Sequence, residues 1–398
     1  MDFSLSASQQ ALISDLDSIA RRQFAQRAFD WDDEVPWANL RVLADQGYLG
    51  LCLPERIGGG GRPILDGILA AETLAAVCPH TAGFFHAANT GPAGHLARRG
   101  SEALQERYLR RVARGELVIG IAMTEPQAGS DASSLAARGD LVGNSLVLSG
   151  TKVFTAHAMV AGAFVVFVRT GSSYASVLVE RDAPGLSIGP AETYMSGERY
   201  CTLTFDRCTV PASNVMVSGA SLRDLMSEYL TERLGNAARA VGVARLALRL
   251  SEQHLKERRQ FGVRLADMQG LRWIVADMVV RIEASRQLLY RAAVNASDGV
   301  PSLYESSLAK YHATETAKFV TDSAMQLHGA LGVSSSMPLE WLYRLARGWT
   351  IAGGTAEILR NIIASQVLRH VDQEPGGPTL RQLDRFPAAF NGEEARRL

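Results

Sequence analysis

Two changes of residue texture limit what this chain can fold into more than any other feature. Over roughly the first 118 residues apolar side chains recur at helical spacing. Leu12, Ile13, Leu16 and Ile19 stand at i, i+1, i+4 and i+7, one stripe of a helix. ANLRVLADQGYLG, ILDGILAAETLAAV and SEALQERYLRRVARGE read the same way, and Ser101 with Glu102 makes a good start for the last. Between the first two lies LPERIGGGGRP, which reads as a loop because four consecutive glycines hold neither helix nor strand cheaply. From about residue 119 the segments become short and rich in β-branched and aromatic residues, as in SLVLSGTKVFT, AFVVFVRT, ASVLVERD and CTLTFDRCTV. That block reads as an antiparallel β domain. Long helical segments return over 222–258, 267–296 and 303–329. The expected fold class is therefore α+β: an N-terminal helical domain (1–118), a middle β domain (119–221), a C-terminal helical bundle (222–375) and a tail (376–398).

Length supports several domains, since 398 residues exceed what one core usually holds. Positive and negative side chains balance at 41 each, so electrostatics draws the protein neither to nucleic acid nor to an anionic membrane surface. No apolar run reaches the ~20 residues a membrane span requires. The N-terminus, MDFSLSASQQALISDL, lacks the basic start and apolar core of a secretory signal, so the expected compartment is the cytoplasm. Cys52, Cys78, Cys201 and Cys208 are dispersed without metal-ligand spacing, which points to reduced thiols and no metal site.

The stretch AMTEPQAGSDASSL carries the first chemical signal. Thr124, Ser130 and the amides around Gly129 form a polar loop at the entrance to the β block. Such a loop offers donors to an anion such as a phosphate. It also fits a capped turn whose Ser and Asp bond their own backbone. It is neither a GxGxxG element nor a P-loop, so no Rossmann site is indicated.

The string TEPQAGSD closely resembles the TEPxAGSD motif of the acyl-CoA dehydrogenases. Three further segments match that family in order: ERRQFG at 257–262, QLHGALG at 326–332 and RLARGWTIAGGTAEILR at 344–360. The resemblance implies FAD held across a subunit interface of a homodimer or homotetramer. By that resemblance Thr124 bonds the flavin pyrimidine edge and Ser130 the pyrophosphate. Arg258, Gln260, Phe261, Gln326 and Gly329 reach the FAD of a neighbouring subunit, and Thr355 and Glu357 complete the pyrophosphate and adenosine contacts. The implied partners are an acyl thioester, on CoA or a carrier protein, and an electron-transfer flavoprotein.

The departures from the family pattern bear on mechanism. Where the family has KxWITN this chain has Lys152, Val153, Phe154, Thr155, Ala156 and His157. Phe154 keeps an aromatic face for the flavin, whereas Ala156 has lost a hydroxyl. His157 reads equally as a bystander and as a substrate contact. Dehydrogenation between the α and β carbons needs a carboxylate to take the α proton while the β hydrogen leaves as hydride to flavin N5. The usual family glutamate position is Gly353 here, in IAGGT. The isovaleryl-CoA and long-chain types carry their glutamate in a string like ERLxxA, and Glu232 in TERLGNAARAVG matches it. Glu232 is thus the expected base, the alternative being a helix carboxylate paired with Arg233 or Arg239. Gly353 retains an N–H that can bond the substrate carbonyl as negative charge develops there. Other readings on the same fold are a carrier-protein-bound substrate, a monooxygenase or a desulfinase; a non-catalytic relative is a further class.

Overall fold

The computed structural model describes residues 4–30 and 35–368. Helix α1 (Ala7–Ile19) buries Leu12, Leu16 and Ile19 of the stripe read from the sequence and leaves Ile13 half-buried, and Ser6 closes a capping box with Gln9. Helices α2 (Trp37–Asp45), α3 (Ile64–Ala75), α4 (Pro79–Asn89) and α5 (Pro92–Arg99) follow. The glycine run is irregular, with Gly58 and Gly61 both at positive φ. Ser101 accepts a bond from the Leu104 N–H and opens α6 (Glu102–Leu104), which passes through a π-helical turn into α7 (Arg110–Ala113).

The middle block is a nine-stranded sheet: β1 (Ile119–Ala122), β2 (Arg138–Val142), β3 (Ser145–Ala156), β4 (Ala163–Thr170), β5 (Ser173–Glu180), β6 (Leu186–Ile188), β7 (Glu192–Thr193), β8 (Arg199–Pro211) and β9 (Val215–Ala220). The order along the main path is β6-β8-β3-β2-β4-β5-β9, with β1 on β4 and β7 on β8. The sheet departs from the purely antiparallel expectation in two places. β1 runs parallel to β4, and a single parallel pair joins Arg138 of β2 to Arg169 of β4. The connection from β1 to β4 is long and includes a hairpin, which lets β1 return in the same direction as its partner. β4 and β5 are buried almost throughout, and both read as near-continuous apolar runs.

The C-terminal bundle comprises α8 (Leu222–Ser227), α9 (Leu230–Glu257), α10 (Gln269–Val294), α11 (Leu303–His328), α12 (Leu339–Trp349) and α13 (Ala356–Leu368). A two-residue hairpin, β10 (Arg259–Gln260) and β11 (Val263–Arg264), interrupts it after α9. Leu234, Ala237, Ala238, Val241 and Ala244 of α9 are fully buried, and their small volumes let neighbouring helices approach closely. Glu72 of α3, itself buried, receives Arg245 at 2.6 Å, Arg286 at 3.1 Å and the Tyr290 hydroxyl at 2.6 Å. That cluster fixes the N-terminal helices to the bundle and so sets the walls of the cleft described next. No described helix is long and apolar enough to cross a membrane. The tail at 376–398 lies outside the described residues.

Candidate active site

The loop carrying Thr124 is anchored from below. Lys152 on β3 is fully buried and places its ammonium 2.7 Å from Glu125 Oε1 and 2.8 Å from the Met123 carbonyl. Glu125 also accepts the backbone N–H groups of Ala136 and Ala137 and the side-chain amide of Gln127. Burial pushes the Lys152 ammonium down to about 8 against the opposing pull of Glu125. Burial raises the Glu125 carboxyl, but Lys152 and the backbone donors outweigh it and leave it below the ordinary range. A buried pair so fully bonded fixes geometry, and here it holds the loop against β3, where Val153 N–H also donates to the Thr124 carbonyl.

Immediately after Lys152 the register of β3 against β8 shifts. Phe154 falls there with φ +57, and its side chain is 56 % exposed. An irregularity of this kind re-aims a side chain out of the pleat. Phe154 consequently lines a cleft of about 150 Å³ together with Thr124, Ala156, His157, Glu232, Asn236 and Gly353. The structure thus brings four of the sequence candidates, Thr124, Phe154, Glu232 and Gly353, to one place.

Glu232 sits in the first turn of α9 with its side chain 12 % exposed. It does not pair with Arg233 or Arg239 as a plain helix carboxylate would. Its Oε1 lies 2.9 Å from His86 Nε2 on α4, at ion-pair distance but off the line of a straight hydrogen bond, and accepts from Asn236 Nδ2 at 3.3 Å. Its Oε2 is buried and has no hydrogen-bond partner among the described residues. Burial pushes this carboxyl up, but His86, Arg239 and Asn236 together outweigh burial and hold it below the usual carboxylate range. Glu232 is therefore ionised at neutral pH, the form that accepts a proton.

Arg233 turns instead to the IAGGT loop, where its Nε donates to the Gly353 carbonyl at 3.2 Å. Lys310 of α11, fully buried, donates to the Gly354 carbonyl at 2.6 Å. Burial and then Arg233 push the Lys310 ammonium down to about 7. Gly353 and Gly354 have φ of +73° and +101°, a backbone that glycine adopts without strain. With both carbonyls tied back, the Gly353 N–H has no acceptor among the described residues, as an oxyanion donor requires. Thr355 next caps α13 by accepting the Ile358 N–H at 3.2 Å, and Glu357 occupies the exposed first turn of that helix.

His157, also at positive φ, packs tilted against Phe84 with ring centroids 4.3 Å apart and planes 39° apart. Burial, then Arg239 and the neighbouring histidines, push it down to about 3, so it is neutral. Arg239 lies over the Trp349 ring at 4.9 Å. Ser130 opens onto an adjoining larger groove of about 1190 Å³ that Arg223, Arg233 and Arg291 also line. Asp131 beside it accepts from Ser133 and Ser134, so the turn bonds its own backbone through Asp131 and leaves Ser130 facing the groove.

The remaining candidates do not line the cleft. Arg258 ends α9, Gln260 lies in the β10–β11 hairpin, and Phe261 at its tip is 94 % exposed with φ +52. Gln326 and Gly329 end α11, and both are exposed. His254 and His328 stack at 4.3 Å, which brings the ends of α9 and α11 together. Sequence reasoning missed His86. The available signal was a histidine one helical turn before Thr90 in FFHAANTG, a pattern common on buried helix faces.

An exposed aromatic face, a rigid polar loop beside it and an arginine-lined groove under Ser130 fit a flavin dinucleotide, whose planar ring stacks on aromatics and hydrogen-bonds at its pyrimidine edge and whose pyrophosphate is anionic. The family models agree. Residues 6–116 match the acyl-CoA dehydrogenase N-terminal domain, 120–208 the middle domain and 222–368 the C-terminal domain. An acryloyl-CoA reductase (NADH) of Anaerotignum propionicum is 34% identical over 93% of this chain and 96% of that protein. A 3-sulfinopropanoyl-CoA desulfinase of Paraburkholderia xenovorans is 33% identical over 92% of this chain and 97% of its own. The structure of butyryl-CoA dehydrogenase from Megasphaera elsdenii superposes with a TM-score of 0.87 at 28% identity, covering 93% of this chain and all of that one. This chain belongs to the acyl-CoA dehydrogenase family and is an FAD-dependent enzyme of it.

Proposed function

We propose that the protein removes a hydrogen from each of the α and β carbons of an acyl thioester, with Glu232 taking the α proton. The observation that carries this is the pairing, in one cleft, of a buried carboxylate oxygen and a backbone N–H that both lack partners among the described residues. FAD, held by Thr124, Ser130, Phe154, Thr355 and Glu357, supplies the hydride acceptor when bound. The Gly353 N–H bonds the thioester carbonyl and stabilises charge as the α proton leaves. Arg233 and Lys310 hold that peptide in place, and Trp349 in the cleft wall helps exclude water. Run backwards, the same groups saturate a double bond, so the redox partner sets the direction. We assign the acceptor role to an electron-transfer flavoprotein, as the family resemblance implies. A monooxygenase or desulfinase reading gives Glu232 no task. Anaerobic bleaching of the flavin by a panel of acyl-CoA and acyl-carrier thioesters tests the proposal and identifies the carrier; no bleaching by any thioester refutes it.

The purified protein is expected to be yellow, with about one FAD per subunit. Absorbance after denaturation checks the ratio. A folded protein that neither carries nor takes up FAD contradicts the assignment of Thr124, Ser130 and Phe154.

We further propose that Arg258, Gln260, Phe261, Gln326 and Gly329 serve the cofactor of a neighbouring subunit. Their exposure supports this, as does the apolar outer face of α10, where Trp273 and Val280 are each more than 60 % exposed. Sedimentation is expected to give a dimer or tetramer, and an FAD-saturated monomer overturns this reading.

A further inference from the structure

We propose that His86 is a positioning residue for the base: tied down by Thr90, it holds one oxygen of Glu232 and so presents the other to the substrate. The inference rests on the reading of Glu232 given above. His86 and Thr90 lie one turn apart at the end of α4, and His86 Nδ1 is 2.7 Å from Thr90 Oγ1. A hydroxyl donating to Nδ1 leaves the ring proton on Nε2, the atom that faces Glu232 Oε1 at 2.9 Å. The contact orders Oε1 although Nε2 is not aligned on it as in a straight hydrogen bond, and Oε2 is left without a partner among the described residues.

Two glycines make the room for this arrangement. A Cβ on Gly235 of α9 would lie 1.9 Å from His86 Nδ1 and 2.5 Å from Thr90 Oγ1. A Cβ on Gly91 would lie 2.8 Å from Glu232 Oε2 and 3.1 Å from the Ala87 Cα. Neither residue has positive φ, so space rather than backbone conformation calls for glycine at both. One glycine admits the imidazole against α9 and the other admits the free carboxylate oxygen. The other titratable or charged groups around the cleft are Arg233 and Arg239 on α9, Tyr229 just before it, His157 just after β3, Glu198 just before β8, and Arg199 and Tyr200 on β8. His157 is uncharged, and Arg233 is committed to the Gly353 carbonyl. Among the described residues, His86 is thus the one side chain within 3 Å of a Glu232 oxygen from outside its own helix.

The test uses the holoenzyme and rapid-mixing flavin reduction across pH. His86→Phe is expected to slow reduction by about tenfold or more. It should also move the acidic limb of the profile to higher pH, because a carboxylate that loses a donor binds its proton more tightly. His86→Gln, which keeps an N–H, should recover part of both effects. In a Glu232→Gln background His86→Phe should slow reduction less than about twofold further, as coupled residues do. An equal loss in both backgrounds, or an unmoved acidic limb, overturns the proposal. Infrared titration of the Glu232 carboxyl without thioester separates this from the base assignment. The titration must shift upward in His86→Phe even if Glu232 is not the base, and an unshifted band refutes the pairing.

Discussion

Glu232→Gln is expected to slow reduction of bound flavin by about 10²–10⁴ while leaving FAD in place, the range a positioned base contributes. The amide keeps the volume and can still meet His86 and Asn236, so the cleft should survive and only proton removal is lost. Rapid mixing with the best thioester measures the rate, and the flavin spectrum reports the cofactor. The effect is expected in the reduction step rather than in thioester affinity, because the carbonyl donor at Gly353 is untouched. Reduction at the wild-type rate would exclude Glu232 as base and return the monooxygenase and desulfinase chemistries to consideration, since neither calls for that proton transfer.

Glu125→Leu is expected to destabilise the protein by about 3–5 kcal/mol, the usual cost of removing one member of a buried ion pair. The variant leaves the Lys152 ammonium inside the protein with the Met123 carbonyl as its remaining partner among the described residues. The pH dependence has a definite sign. Lys152 is pushed down to about 8 with Glu125 present, and losing a carboxylate lowers it further. A lysine whose folded value lies below its unfolded one penalises the folded state most at low pH. The penalty is relieved as pH rises past the folded value toward the ordinary lysine range. The defect should thus be largest in mildly acidic buffer, where Lys152 is charged, and shrink as pH rises through neutrality into the alkaline range. Because the pair anchors the loop bearing Thr124 and Ser130, the temperature of flavin release is the readout. Unchanged release, or a defect that grows with pH, would show that the pair does not hold the loop.

Before any tertiary contact is considered, the sequence separates the helical and β blocks by apolar period alone. The stripe at Leu12, Leu16 and Ile19 and the start at Ser101 are local properties, and the structure has both. The ordered motifs likewise place Thr124, Phe154, Glu232 and Gly353 in the list of residues that share the cleft. Glu232 entered that list because a glycine at 353 removes the usual carboxylate and TERL supplies another, and the structure puts both positions in one cleft.

What the sequence left open are contacts between residues far apart along the chain. The parallel return of β1 onto β4 is not written in either strand, since alternation and β-propensity are the same for both directions of pairing. The Glu125–Lys152 pair joins residues 27 positions apart, and nothing local marks either as buried. His86 meets Glu232 across the packing of α4 on α9, and an isolated histidine on a helix carries no sign of its partner. The choice of Glu232 between its own-helix arginines and His86 was likewise decided by packing. Arg233 is drawn to the Gly353 carbonyl and Arg239 to Trp349, which leaves the carboxylate to the imidazole. Sequence thus determined the blocks, the family and the candidate list, because these depend on short-range pattern. Tertiary structure decided which candidates share a cleft and which oxygen of Glu232 lacks a partner among the described residues, because burial and partner geometry exist only once the helices and the sheet have packed.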